Sequence, residues 1–123
     1  MSTDLRVVLT TEADQIKADA LAEQLITRRL AACITSMPVQ SCYRWQGKIE
    51  RAQEVQLLIK TSSDRLEELL SALEALHSYD TPEILQMAAQ AGAAYAAWAL
   101  DALSPDASAS ALEARPGNEH QAG

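Results

Sequence analysis

Few residues in this 123-residue chain have types and positions suited to chemistry. Cys33 and His77 offer a thiolate and an imidazole, the donors that suit copper or zinc. Each also has a plainer reading. Cys33 on an apolar run is a buried small hydrophobe, and His77 near a helix end interacts with the last carbonyls. A second group, Tyr43, Trp45, Lys60, Tyr79 and Glu83, surrounds a hairpin tip and a helix-to-strand crossing, where it could line a small-ligand cleft. Lys60 and Glu83 in that cleft would have the types of a general acid and base. No nucleophile–base–orienter set, glycine-rich phosphate loop or zinc-type Cys/His spacing accompanies them. Nothing in the motifs supports an enzyme.

The element that must position these residues runs from Ala31 to Thr61 and reads as a long β-hairpin. On its returning arm Val55, Leu57, Ile59 and Thr61 alternate with Glu54, Gln56, Leu58 and Lys60, a period of two. The outgoing arm alternates Val39, Ser41, Tyr43 and Trp45 with Gln40, Cys42 and Arg44. Gln46-Gly47 is the expected reversal, since Gly47 accepts the positive φ of a two-residue turn. Arms of about fourteen residues span about 45 Å at about 3.3 Å per residue. A compact chain of this length is only about 35 Å across, from a radius of gyration of about 14 Å. Either the hairpin bends, for which Pro38 is the obvious place, or its tip is lined by another subunit.

The flanking segments complete the pattern. Leu5–Thr10 is a short β-branched run expected as a strand. Thr11, three residues before Asp14, has the form of a helix N-cap, and the helix that follows carries Ile16, Ala20, Leu21 and Leu25 as its apolar stripe. After the hairpin, Ser62-Ser63-Asp64 is a second N-cap signal. Leu66, Leu69, Leu70, Leu73 and Leu76 then form a core-facing helical stripe. Pro82 requires extended chain before it, Glu83–Ala89 is expected as a strand, and Tyr95, Trp98 and Leu103 fit a short terminal helix. Strand, helix, strand, strand, helix, strand is an α+β order. It is the βαββαβ split of a ferredoxin-like sandwich. Residues 1–103 form this domain, and 104–123, poor in large apolar side chains, read as a disordered tail.

Composition narrows the partners. The formal net charge of −7 and the absence of any Lys/Arg run argue against nucleic acid and anionic membrane. The N-terminal MSTDLRVVLTT has an acid where a signal peptide carries positive charge, and no apolar run approaches the ~20 residues of a membrane span. A cytoplasmic protein is expected. Cys33 and Cys42 lie about 30 Å apart on extended chain, far beyond the ~7 Å that a disulfide tolerates.

Several motifs in order resemble the CutA family of divalent-cation tolerance proteins. They are VVLTT at 7–11, RLAAC at 29–33, Tyr43-x-Trp45-x-Gly47-Lys48-Ile49-Glu50, Glu54-x-x-Leu57-Leu58-Ile59-Lys60-Thr61, and His77-x-Tyr79-x-Thr81-Pro82-Glu83. Tyr95 and Trp98 continue the pattern, so the likeness covers about residues 5–103. The resemblance implies a ferredoxin-like subunit in a homotrimer whose long hairpin strands pair between subunits. It implies a role in tolerance of copper and other divalent cations, with weak cation binding, and a trimer similar to that of the PII signalling proteins. Some members have Cys where Thr10 stands and a second His where Leu76 stands. Of such a donor set this chain keeps Cys33 and His77.

Overall fold

A computed structural model of the chain describes residues 3–105. The expected tail from Ser104 onward lies almost wholly outside the described residues. The elements are β1 (Asp4–Glu12), α1 (Gln15–Thr27), β2 (Cys33–Trp45), β3 (Lys48–Thr61), α2 (Ser63–Leu76), β4 (Leu85–Gln90) and α3 (Ala93–Leu103). The sheet order is β2-β3-β1-β4, and every neighbouring pair is antiparallel. This is the ferredoxin-like arrangement, with α3 appended.

Alternation along the strands gives the sheet two unlike faces. Val8, Val55, Leu57 and Ile59 pack in the main core with Ala18, Leu21 and Leu25 of α1 and Leu69, Ala72 and Leu73 of α2. The register sets Val8 opposite Ile59 and Thr10 opposite Leu57, so these residues share the helix-covered face. On the other face Leu9 pairs with Leu58 and Leu85, and Val7 with Lys60 and Met87. Only the Leu5 end is capped there, where α3 brings Ala99 and Leu103 against Leu5 and Ala32. Leu85 and Met87 remain 52% and 46% exposed, which leaves an apolar sheet face without a cover in the single chain.

The hairpin reaches well past the sheet. β1 pairs with β3 only as far as Glu12 opposite Val55, whereas β2 accompanies β3 to Trp45 opposite Lys48. Residues 39–54 are therefore a two-stranded ribbon, and the part of β3 beyond Val55 extends for about 23 Å. The reversal is a type I′ turn with positive φ at both Gln46 (50°) and Gly47 (79°). Pro38 does not interrupt β2. It sits opposite Val55 on an edge strand, where a missing N–H costs the sheet no ladder bond on its outer side.

Three local expectations are corrected. β1 continues through Thr11 and Glu12, so Thr11 is strand and Asp14 caps α1, accepting from the Lys17 amide at 2.8 Å. Ile16 is not part of the buried stripe: it is 81% exposed, and Ala18, Leu21 and Leu25 carry the packing. β4 begins at Leu85 rather than Glu83. The second cap is as expected, with Ser62 accepting from the Arg65 amide. Arg65 in turn donates from Nε to the Arg29 carbonyl at 3.1 Å, which satisfies a carbonyl just past α1 where Arg29 turns left-handed (φ 57°). Among the described residues no helix is long and apolar enough to cross a membrane.

Candidate functional site

The most polar part of the interior lies where β1 ends and the chain leaves α2. Glu12, the last residue of β1, is 2% exposed. Its carboxylate accepts from the Ala13 amide, the Ser78 amide and the Ser78 hydroxyl. These bonds answer the cost of burying a charge, and they clamp the segment after α2 to the sheet.

His77 is the C-cap of α2 and its amide donates to the Leu73 carbonyl. Its ring turns inward. Nδ1 accepts from the Tyr79 amide at 3.0 Å, and Nε2 lies 2.7 Å from the Thr11 carbonyl and 3.1 Å from Thr10 Oγ1. An amide can only donate and a carbonyl can only accept, so these contacts place the proton on Nε2. Thr10, His77 and Glu12 follow the order nucleophile, base, orienter, with His77 Nδ1 3.6 Å from Glu12. That order does not make a nucleophile here. Thr10 is fully buried, and the Nε2 proton is directed at the Thr11 carbonyl.

Tyr79 crosses from this buried cluster to the hairpin. Its ring lies 4.9 Å from that of His77, and its hydroxyl donates to Glu54 Oε2 at 2.7 Å. Burial works to raise the Glu54 carboxyl, but hydrogen bonds from Ser41, Tyr79 and Thr11 outweigh it and hold the group below its ordinary value. Tyr79 moves the other way: burial, the bond to Glu54 and the charge of Glu54 push its phenol well above the ordinary range. The pair is a carboxylate kept ionised beside a phenol kept neutral.

Around this pair is a cleft of about 430 Å³ lined by Tyr43, Trp45, Glu54, Tyr79, Asp80 and Thr81. A neighbouring cavity of about 440 Å³ shares Tyr43, Glu54 and Tyr79 and adds Glu83. The structure thus brings together four of the five residues expected to line a ligand cleft. Lys60 is the exception. It is at the other end of β3, donating to Thr35 Oγ1 at 3.1 Å and the Leu58 carbonyl, so it forms no acid–base pair with Glu83 in one chain. Glu54 was absent from the expected set because it looked like one polar position in an alternating strand. Its Thr-Pro-flanked neighbour Tyr79 gave no hint of where its hydroxyl would end.

The two soft donors do not meet. Cys33 pairs with Lys60, which is level with Val7 on the open face. His77 contacts Thr10 on the helix-covered face. They are two strands apart, about 10 Å across the sheet, and about 10 Å along it. Both His77 ring nitrogens are already engaged. Cys33 and His77 as placed in one chain do not fit a single copper ion. Among the described residues no group of three or more His, Cys, Asp or Glu side chains is arranged to hold a metal. Cys33 and Cys42 form no disulfide.

Residues 6–102 match the model of one protein family, described as the CutA1 divalent ion tolerance proteins. A divalent-cation tolerance protein CutA from Pectobacterium atrosepticum is 43% identical over 90 residues, which cover 72% of this chain and 82% of that protein. The solved structure of CutA from Synechococcus elongatus aligns with a TM-score of 0.78 at 40% identity, covering 84% of this chain and 93% of that one. The periplasmic divalent cation tolerance protein CutA from Archaeoglobus fulgidus aligns with the same score of 0.78 at 30% identity, over 81% of this chain and 99% of that one.

Proposed function

The chain belongs to the CutA1 family of divalent ion tolerance proteins, and from that premise we propose that it serves cation tolerance as a homotrimer that binds copper or other divalent cations weakly. It does so as a binding protein rather than an enzyme, in the cytoplasm. The trimer is supported by the ribbon of residues 39–54, which has no third strand and would be marginal alone in water. It is supported equally by the open face carrying Leu85 and Met87. Copies of the same chain would line both.

The observation that carries cation binding is the charge of the cleft. Glu54 is held ionised and lines both cavities, Asp80 lines one and Glu83 the other, and neither cavity is lined by Lys or Arg. Carboxylates do not select copper as thiolate and imidazole would, so affinity is expected to be modest and shared among divalent ions. Titration with copper, zinc and manganese of the parent chain and of Glu54→Gln, Cys33→Ser and His77→Ala variants tests this. Weakening by Glu54→Gln alone places the ion in the cleft. Weakening by Cys33→Ser and His77→Ala instead places it on the soft donors of adjoining subunits, and no binding by any chain removes the reading.

A second reading is a PII-like trimeric sensor or scaffold that takes a small ligand in the cleft. The favouring observation is the set of three aromatic side chains, Tyr43, Trp45 and Tyr79, on one cavity. Tyr43 and Trp45 are 46% and 53% exposed, a large apolar area to leave beside solvent. A thermal-shift screen of nucleotides, amino acids and amines reports any ligand that stabilises the folded assembly.

A further inference from the structure

A separate cavity of about 300 Å³ lies between the C-terminal end of α1, the loop that follows it and α3. Ala31 and Ala32 on its wall precede β2, which starts at Cys33 opposite Lys60, the end of the hairpin farthest from the Gln46-Gly47 turn. The ribbon begins at Val39, about 20 Å farther along β2. At the cavity end α3 already covers the sheet, with Ala99 and Leu103 against Leu5 and Ala32. The lining includes no residue of the ribbon and neither Leu85 nor Met87, the surfaces on which the proposed homotrimer seats its copies. Ile26, Ala31, Ala32 and Ala102 make the walls apolar, and Arg29 and Trp98 supply polar groups. Trp98 Nε1 is buried with no hydrogen-bond partner among the described residues, so no described residue answers its desolvation. Arg29 Nη1 donates to the Ala102 carbonyl at 3.3 Å, which ties the guanidinium to α3. The Arg29 backbone is fixed as well, left-handed at φ 57° with its carbonyl accepting from Arg65 Nε.

We propose that this cavity binds a small monocarboxylate with an apolar body. An indole N–H and a guanidinium can only donate, so the group that matches them is an acceptor. Arg29 adds a full positive charge, and no Asp or Glu lines the cavity among the described residues. That selects an anion over a neutral acceptor and disfavours a cation. The planar fork of a guanidinium fits a carboxylate, and the fixed Arg29 loses little freedom when one arrives. Thr27, the remaining lining residue, has a hydroxyl that rotates to donate or accept. A phosphate dianion would exchange its hydration for two donors among apolar walls, which is unfavourable. The volume is at the lower end of small-ligand pockets, so the acid is small. Its charge is opposite to that of the cations proposed for the Glu54 cleft, and its site shares no residue with that cleft. The two readings stand or fall separately.

Isothermal titration calorimetry of the full chain, in the assembly it forms, with benzoate, benzamide and acetate tests the proposal. Saturable benzoate binding is expected. Benzamide keeps the ring and loses the charge, and is expected to bind about tenfold or more weakly. Acetate keeps the charge and loses the apolar body, and is expected to be weaker by at least as much. Trp98→Phe removes the unpartnered donor and keeps most of the apolar surface. Arg29→Gln removes the charge and keeps a donor for the Ala102 carbonyl. Each is expected to weaken benzoate by about tenfold or more. Ala102→Leu removes neither donor but fills the cavity, and is expected to abolish binding. Should Trp98→Phe or Arg29→Gln fail to fold, Ala102→Leu and the benzamide comparison carry the test. No benzoate binding, equal binding of benzamide, or an affinity unmoved by the folded variants overturns the proposal. Sedimentation of Ala102→Leu is expected to match the parent. Smaller species would assign the cavity to a subunit contact and overturn the proposal as well.

Discussion

The Tyr79 hydroxyl donates to the Glu54 carboxylate across 2.7 Å, joining the segment after α2 to the ribbon half of the hairpin. Residues 25 apart in sequence thereby set one wall of the cleft. The same short segment is held at its other end by the bonds from Ser78 to Glu12. The cleft is thus anchored on both sides by side-chain hydrogen bonds.

Tyr79→Phe keeps the ring and removes only the donor. A hydrogen bond to a charged group contributes about 1.5–3 kcal/mol, and partial solvent access to Glu54 puts the expected loss near the lower figure. Chemical denaturation of the variant beside the parent measures it. The sign with pH follows from the shift of Glu54. Its folded value is depressed, so its contribution is present above the ordinary carboxylate value of 4.5 and fades as pH falls through the lowered folded value. The stability gap between parent and Glu54→Gln should close on acidification. A gap that widens toward low pH would contradict the assignment. The phenol acts oppositely: with its folded value raised, Tyr79 lowers stability as pH climbs past its ordinary value of 10.0.

Glu12 is a buried carboxyl side chain, and two substitutions of it test whether it is held by hydrogen bonds or merely enclosed. Glu12→Ala strands the Ser78 and Ala13 amides and should cost about 3 kcal/mol or more. Glu12→Gln preserves one acceptor and should cost less. Unfolding midpoints in urea rank the two. Equal losses would mean that the volume of the side chain, rather than its acceptors, matters.

Gly47 has a φ of +79°, and a Cβ built there meets no heavy atom within 4 Å. Gly47→Ala therefore carries backbone strain without a clash, and should cost about 1 kcal/mol. Gly92 has an ordinary negative φ and equally open space, so Gly92→Ala is the control with no such penalty. Thermal unfolding of both variants checks the contrast.

Met87→Lys places a charge in the centre of the open sheet face, where Met87 pairs with Val7. A single folded chain tolerates that change because the side chain is already 46% exposed. The proposed homotrimer does not, since burying an unpaired ammonium costs several kcal/mol. Sedimentation should show smaller species with unaltered secondary structure. A variant that sediments like the parent would remove this face from the subunit contact. Ile16→Lys, at 81% exposure on the far side of α1, should change neither assembly nor stability.

Periodicity and punctuation alone determined most of this protein's architecture. The alternation of Val55, Leu57 and Ile59, the turn at Gln46-Gly47, the cap at Ser62 and the leucine stripe of α2 are local signals. Their physics, side-chain direction and backbone φ, acts within a few residues. They yielded the βαββαβ order, and the excess length of the hairpin pointed to a neighbour. Local signals erred where neighbouring segments compete: Thr11 resembled a cap until strand pairing with Gln56 claimed its backbone, and Ile16 fitted a stripe whose buried centre proved to be Ala18 and Leu21. The site was different in kind. Whether Cys33 and His77 meet depends on which face of the sheet each occupies, and that is set by register between strands distant in sequence. Glu54 became an anchor only because α2 ends where Tyr79 can reach it. Contacts of that range have no periodic trace in the chain, so tertiary packing alone decided what the cleft contains.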